Sequence, residues 1–251
     1  MKAVLAWAPE AFPEIRPGDD LIAAIVGGLR GAGLIPQPGD VVVIAHKVVS
    51  KAEGHVVDLT TVTPSPAALA LADEANKDPR LVEVILRESR AVRRVRPGLI
   101  IAEHRLGFVC ANAGVDHSNV GLGPDVVALL PQDPDASAAR IQAGLLQAFG
   151  VDVAVIVNDS HGRPFREGTT GAAIGAAGLR VLQSFVGEED RYGYVLRVSV
   201  EAVADECAAL ANLLQGQAAE GTPLVLIRGL DHSGTGRVAD LVRPEEEDLF
   251  R

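Results

Sequence analysis

"GDVVVIAHKVVSKAEG", Gly39 to Gly54, begins as an apolar run and then places His46, Lys47, Ser50, Lys51 and Glu53 within one short stretch. Valines and an isoleucine bounded by Gly and Asp read as a buried strand. The cationic residues at its exit need a reason. A lysine is a compact point charge suited to phosphate oxygens, and Lys47 and Lys51 share a face if residues 48–53 begin a helix. In a chain of net charge −10, two lysines and a histidine straight after a buried strand point to an anion, a nucleotide phosphate. The competing reading is a solvated surface pair between Lys51 and Glu53.

On either side of this stretch, strands and helices alternate. Strands are predicted at 3–7, 40–45, 99–103, 107–111, 152–157, 194–198 and 223–228, all short and bounded by Gly, Pro or Asp. Helical periodicity covers 19–33, 65–89, 135–150 and 199–216, with Ser65, Ser137 and Ser199 as N-caps and Gly150 and Gly216 as stops. Asp78-Pro79-Arg80 should break the second helix in two. "GAAIGAAG", Gly171 to Gly178, matches neither G-x-x-x-x-G-K-[ST] nor G-x-G-x-x-G, and its alanines suggest a closely packed helix. The fold class is therefore α+β, a mixed α/β chain of two interleaved subdomains and neither a P-loop nor a Rossmann fold. Residues 1–85 with 190–251 are expected to form one subdomain around an inserted 86–189.

Composition narrows the function. A chain 48% hydrophobic but only 4% aromatic builds its core from Ala, Val, Leu and Ile. Its acidity argues against nucleic acid and anionic membrane as partners. The apolar stretches, such as Val153 to Val157, are too short to span a bilayer, and the N-terminus lacks a signal-peptide core, so a cytoplasmic location is expected. Cys110 and Cys207 read as buried spectators.

Two polar, Gly-containing segments come after buried-looking strands: "ANAGVDHSNVG" (Ala111 to Gly121) and "NDSHGRPFREGTTG" (Asn158 to Gly171). Asp159 and Ser160 leave their strand together as hard-oxygen ligands for Mg²⁺ or Mn²⁺, and Asp116 is a second such acid. Asn-Asp-Ser is equally good turn material. Arg163 and Arg166 could clamp an anion or pair with Glu167 at the surface. His104, His117, His161 and His232 are scattered singly and read as turn or surface residues.

"GDVVVIAHKVVSKAEG", "CANAGVDHSNVG", "VNDSHGRPFREGTTGAAIGAAGL", "GQAAEGTPLVLIRGL" and "LVRPEEEDLF" occur in an order that resembles the coenzyme F420-0:L-glutamate ligase (gamma-glutamyl ligase) family over nearly the whole chain. The resemblance implies GTP-dependent addition of L-glutamate to the lactyl-phosphate carboxylate of the deazaflavin coenzyme F420-0, followed by gamma-linked extension. It implies a divalent metal, Mg²⁺ or Mn²⁺, with K⁺ as a further cation, held by Asp116, Asp159, Ser160 and Gln217. By the same resemblance the nucleotide lies against Phe12, Pro13, Glu14 and Ile15, His46, Lys47 and Lys51, Asn119, and the segment Gln215, Gly216, Gln217, Ala218, Ala219, Glu220, Gly221 and Thr222. Lys47, Lys51 and Asp159 are the expected catalytic residues, and a homodimer the expected assembly. Glu53 and His117 are the guesses for an acceptor of the amine proton, and residues 160–171 for a lid. A metal-dependent phosphohydrolase and a non-catalytic nucleotide-binding module are the other function classes in view.

Overall fold

The Val41–Ala45 run is the middle strand of a five-stranded sheet in the computed structural model, which describes residues 2–232 and 234–249. In chain order the elements are β1 (Leu5–Trp7), α1 (Leu21–Gly31), β2 (Val41–Ala45), α2 (His46–Ala52), β3 (Val56–Asp58), α3 (Pro66–Ala75), α4 (Pro79–Glu88), β4 (Ser89–Arg96), β5 (Leu99–His104) and β6 (Val109–Ala111). Then come β7 (Val126–Ala128), α5 (Pro134–Phe149), β8 (Ala154–Arg163), β9 (Arg166–Ala177), β10 (Gln183–Ser184), β11 (Val200–Glu201), α6 (Val203–Gln215) and β12 (Leu224–Arg228). The sheet order is β1-β12-β2-β8-β9, with only the β2–β8 pair parallel. This is a mixed α and β architecture.

Strand periodicity sorts the core into two layers. Val42, Ile44, Val155 and Val157 face one cluster with α1 and α5, while Val41, Val43, Ala154 and Ile156 face another with α6. Both faces are covered, which is why these strands read as unbroken apolar runs. Cys110 and Cys207 are free and buried, and burial pushes both thiols up to about 12.

A third cluster is built from Leu59, Val62, Ala72, Val82, Ile85, Ile100 and Val127. The chain leaves the main sheet after α2, forms this second core through β3, α3, α4, β4, β5, β6 and β7, and returns at α5. The boundary thus differs from the expected insertion at 86–189, because β8 and β9 are strands of the main sheet.

Several local expectations are corrected. Residues 171–177 form strand rather than helix, since their small size serves close approach of helices to a sheet. A Cβ on Gly171 would stand 2.2 Å from the Ala208 carbonyl of α6, and one on Gly175 2.3 Å from the Pro134 carbonyl of α5. These glycines look to opposite faces because β9 carries an extra residue: Val157 pairs with Gly175 but Asn158 with Ala173, so Ile174 bulges. Residues 160–171, expected as a lid loop, are instead a paired β-hairpin.

Residues 194–198 make only an isolated bridge from Val195 to Glu189 and no strand. The cap of α5 is Asp133, not Ser137, because Pro134 takes the first helical position as Pro66 and Pro79 do in α3 and α4. Ala202, not Ser199, precedes α6. The break at 78–80 is present, with Asn76 left-handed at φ 49° ending α3 and Asp78 capping α4.

Candidate functional site

β2 ends at Ala45 beside Asn158 of its parallel neighbour β8, and the residues that follow in each build the floor of a cleft. β2 runs directly into α2, so Lys47 and Lys51 lie one turn apart on a single face. β8 runs on past its pairing with Ala45, and the first two residues beyond it deliver Asp159 to the α2 side and Ser160 to the α6 side. Asp159 Oδ1 accepts the Ser160 N–H at 2.7 Å, and Oδ2 faces His161 Nε2 at 3.0 Å. His46 Nε2 lies 3.3 Å from Oδ1 without the geometry of a hydrogen bond. Burial opposes the charge on Asp159, but the two histidines outweigh it and hold the carboxyl well below its ordinary range. Burial likewise opposes protonation of His161, and Asp159 overcomes it, so the imidazole titrates above its ordinary value.

The second core contributes Asp116. Between β6 and this residue, Asn112, Ala113 and Gly114 are consecutively left-handed, at φ 52°, 50° and 69°. Such a turn costs free energy at a non-glycine residue and persists because its surroundings fix it. Asp116 is pinned to β7 by its backbone, exchanging hydrogen bonds with Ala128 at 3.0 and 2.8 Å. Its Oδ1 accepts from Ser118 N at 2.8 Å, and its Oδ2 meets Lys47 Nζ at 2.7 Å. Burial raises this carboxyl and Lys47 more than compensates, so it too titrates low. Lys51, its side chain 5% exposed, pairs with Glu14 at 2.8 Å and not with Glu53.

The remaining wall runs along α6. Gln217 donates to Ser160 Oγ at 2.8 Å, and Asn119 donates to the Ala218 carbonyl at 2.9 Å, tying the insertion to this segment. Asn158 donates to Gln215 Oε1 at 2.6 Å, while its own Oδ1 is buried without a partner among the described residues. The cleft so enclosed holds about 400 Å³. Phe12 to Ile15, His46, Lys47, Lys51, Asp116, Asn119, Asp159, Ser160 and Gln215 to Thr222 all line it.

Other sequence candidates lie elsewhere. Glu53 accepts from Ser137 and Arg140, and His117 donates to the Pro124 carbonyl, so neither lines the cleft. Arg163 reaches the Glu167 carbonyl, at 3.5 Å, on the hairpin tip. His104 is buried against Glu88 and His232 against the Gly39 carbonyl, so neither is a surface residue, while His161 is half-buried against Asp159. Asn158, Thr169 and Asn212 line the cleft without having been singled out; Asn158, a polar residue closing a run of valines, carried the readable signal.

Among the described residues no group of three or more His, Cys, Asp or Glu is arranged to hold a metal. The donors on this cleft still fit a hard divalent cation, which takes oxygen ligands and keeps several waters: two carboxylates, a hydroxyl, a carboxamide and the unpartnered Asn158 oxygen. No helix among the described residues is long and apolar enough to cross a membrane.

The family model described as F420-0:gamma-glutamyl ligase matches residues 11–229. The chain is similar to the coenzyme F420:L-glutamate ligase of Methanothermobacter thermautotrophicus, 47% identical over 245 residues and 96% of each chain. It is similar also to that of Methanopyrus kandleri, 48% identical over 243 residues, 95% of this chain and 94% of the relative. A third, from Archaeoglobus fulgidus, is 41% identical over 242 residues, 96% of this chain and 94% of the relative.

Proposed function

The chain belongs to the F420-0:gamma-glutamyl ligase family, and we propose that its cleft joins L-glutamate to the lactyl-phosphate carboxylate of coenzyme F420-0 using GTP, then adds further gamma-linked glutamate. The observation that carries this reading is the convergence of Lys47 and Lys51 with Asp116 and Asp159 on one cleft, each lysine held on a carboxylate that an incoming phosphate can replace.

A carboxylate is a poor acylating agent because its leaving group would be oxide. Transfer of the GTP γ-phosphoryl to the lactyl carboxylate makes an acyl phosphate and releases GDP. The glutamate amine then attacks that carbonyl, expels phosphate, forms the amide and gives up a proton. Lys47 and Lys51 neutralise charge on the transferring phosphoryl and on the departing GDP. Lys47 is 23% exposed at its side chain; Lys51, only 5% exposed, provides the more shielded charge. Asn119 and Gln217 brace the nucleotide-facing segment 215–222 from two sides. Asp116, Asp159, Ser160 and Gln217 would hold Mg²⁺ or Mn²⁺, with K⁺ as a further cation; when bound, the divalent ion supplies Lewis-acid neutralisation of phosphoryl oxygens. A homodimer is supported by the span between β10 and β11, where Tyr192 and Val198 are each 87% exposed.

Mass spectrometry of the protein incubated with coenzyme F420-0, L-glutamate, GTP and Mn²⁺, omitting one component at a time, tests the reading. A product heavier by whole glutamyl units, formed only in the complete mixture with GDP released, is the expected result. GDP without a glutamyl adduct would favour the phosphohydrolase class instead, and neither product a binding module.

A further inference from the structure

His161 has no role in the phosphoryl-transfer and amide-forming steps, yet it is one of the best-anchored side chains beside the cleft. It lies two residues after Asp159 on β8, so both side chains leave the same face of the strand. Its Nε2 is 3.0 Å from Asp159 Oδ2, and since an ionised carboxylate only accepts, this nitrogen is the donor. The two side chains are 15% and 12% exposed. Phe108 packs against the imidazole, with ring centroids 6.1 Å apart and planes inclined by 60°. Behind it, Leu241 and Val242 close a small cavity that His161 and Phe108 also line. A ring packed in this way offers its N–H from a fixed position.

Asp159 is therefore gripped at both oxygens. Oδ1 accepts the Ser160 backbone N–H and Oδ2 accepts His161, which together set the plane of the carboxylate while leaving further lone pairs on each oxygen. We infer that His161 is a positioning residue, whose Nε2–H fixes the orientation in which Asp159 presents its remaining lone pairs to a divalent cation in the cleft. The inference rests on the ligase reading, in which Asp159 is a metal ligand, and it requires no change in the protonation of His161. Partners of this kind govern metal affinity because a carboxylate free to rotate must be ordered by the ion itself.

The test compares wild type with His161→Phe and His161→Gln. Phenylalanine retains a ring against Phe108 but has no donor; glutamine retains an N–H. Mn²⁺ affinity is read from the electron paramagnetic resonance of the free ion, glutamyl transfer at saturating Mn²⁺ gives kcat and KM, and thermal melting monitors folding. His161→Phe is expected to weaken Mn²⁺ binding about 10- to 100-fold and to lower kcat with the KM for L-glutamate unmoved, while His161→Gln stays within about 3-fold of wild type. A purely structural role would lower the melting temperature of both variants without changing Mn²⁺ affinity in the folded protein. His161→Leu replaces the phenylalanine variant should that one not fold. A folded variant lacking the donor that binds Mn²⁺ like wild type overturns the inference. Wild type that binds no Mn²⁺ overturns it together with the metal role of Asp159. If Mn²⁺ binding depends on His161 but no glutamyl product forms, the positioning role stands and the ligase reading falls.

Discussion

Lys47 Nζ stands 2.7 Å from Asp116 Oδ2 and 3.2 Å from Ser118 Oγ, so a lysine of the main sheet's first exit is neutralised by an acid of the inserted core. The pair spans the cleft and binds its two walls to each other. Asp116→Asn keeps the shape of the side chain but removes its charge. Turnover, measured as GDP release in the complete ligase mixture, is expected to fall by about 100-fold or more. Activity within a few-fold of wild type would remove Asp116 from the reacting centre.

The Asp159–His161 pair sets a pH window for the metal-free protein. A carboxyl lowered on folding contributes stability that is complete above its ordinary value of 3.8 and is lost as pH falls through the folded value. A histidine raised on folding contributes stability that is complete below 6.5 and is lost as pH rises through its folded value. The pair's contribution is therefore whole between those two values and declines on either side. Melting temperatures measured in EDTA across this range should show that plateau, and Asp159→Asn should flatten both flanks.

Lys51 is buried while its partner Glu14 is 61% exposed at the side chain. Removing the lysine leaves no buried charge behind, because Glu14 can turn to water. Lys51→Met is accordingly expected to change unfolding free energy by only about 1 kcal/mol or less. Titration calorimetry with GTP and Mg²⁺ should nevertheless show affinity reduced about tenfold or more, because the proposed reading gives Lys51 a charge-assisted contact with phosphate. Unaltered GTP affinity would place the phosphates elsewhere in the cleft.

Gly171 has no room for a methyl group, and the obstacle is the backbone of α6 rather than a movable side chain. Gly171→Ala must displace the helix that carries Asn212 and Gln215. Urea unfolding is expected to report a loss of about 2–3 kcal/mol. Activity should fall with it; a variant as stable as wild type would mean that α6 shifts at little cost.

Much of the architecture was legible because buried strands announce themselves by composition: Val41–Ala45, Ala154–Val157 and Leu224–Arg228 are apolar runs with turn residues at their ends. β4, "SRAVRRVR", was hidden by its arginines, of which Arg90, Arg94 and Arg96 are exposed on a strand at the edge of its sheet. β9 was hidden for the opposite reason, its glycines and alanines being chosen for what packs against them, information that lies in α5 and α6. The cleft residues were found through motif order and residue type. What could not be read was pairing: nothing local tells that Lys51 meets Glu14, or that His161 turns inward to Asp159, since each contact depends on surroundings only the fold brings together.

The bulge at Ile174 gives β9 a property that side-chain chemistry does not express. Gly171 and Gly175 each admit a different helix, and the extra residue between them is what turns them to opposite sides. One more residue among the intervening three, with the bulge kept, would bring both glycines to one face, rotate one of them out of its contact and drive a β-carbon into a carbonyl. Identities in this segment can change one at a time and be judged singly. Its length cannot, so here the count of residues is itself part of the fold's specification, and a frame error of one would be felt on both sides of the sheet at once.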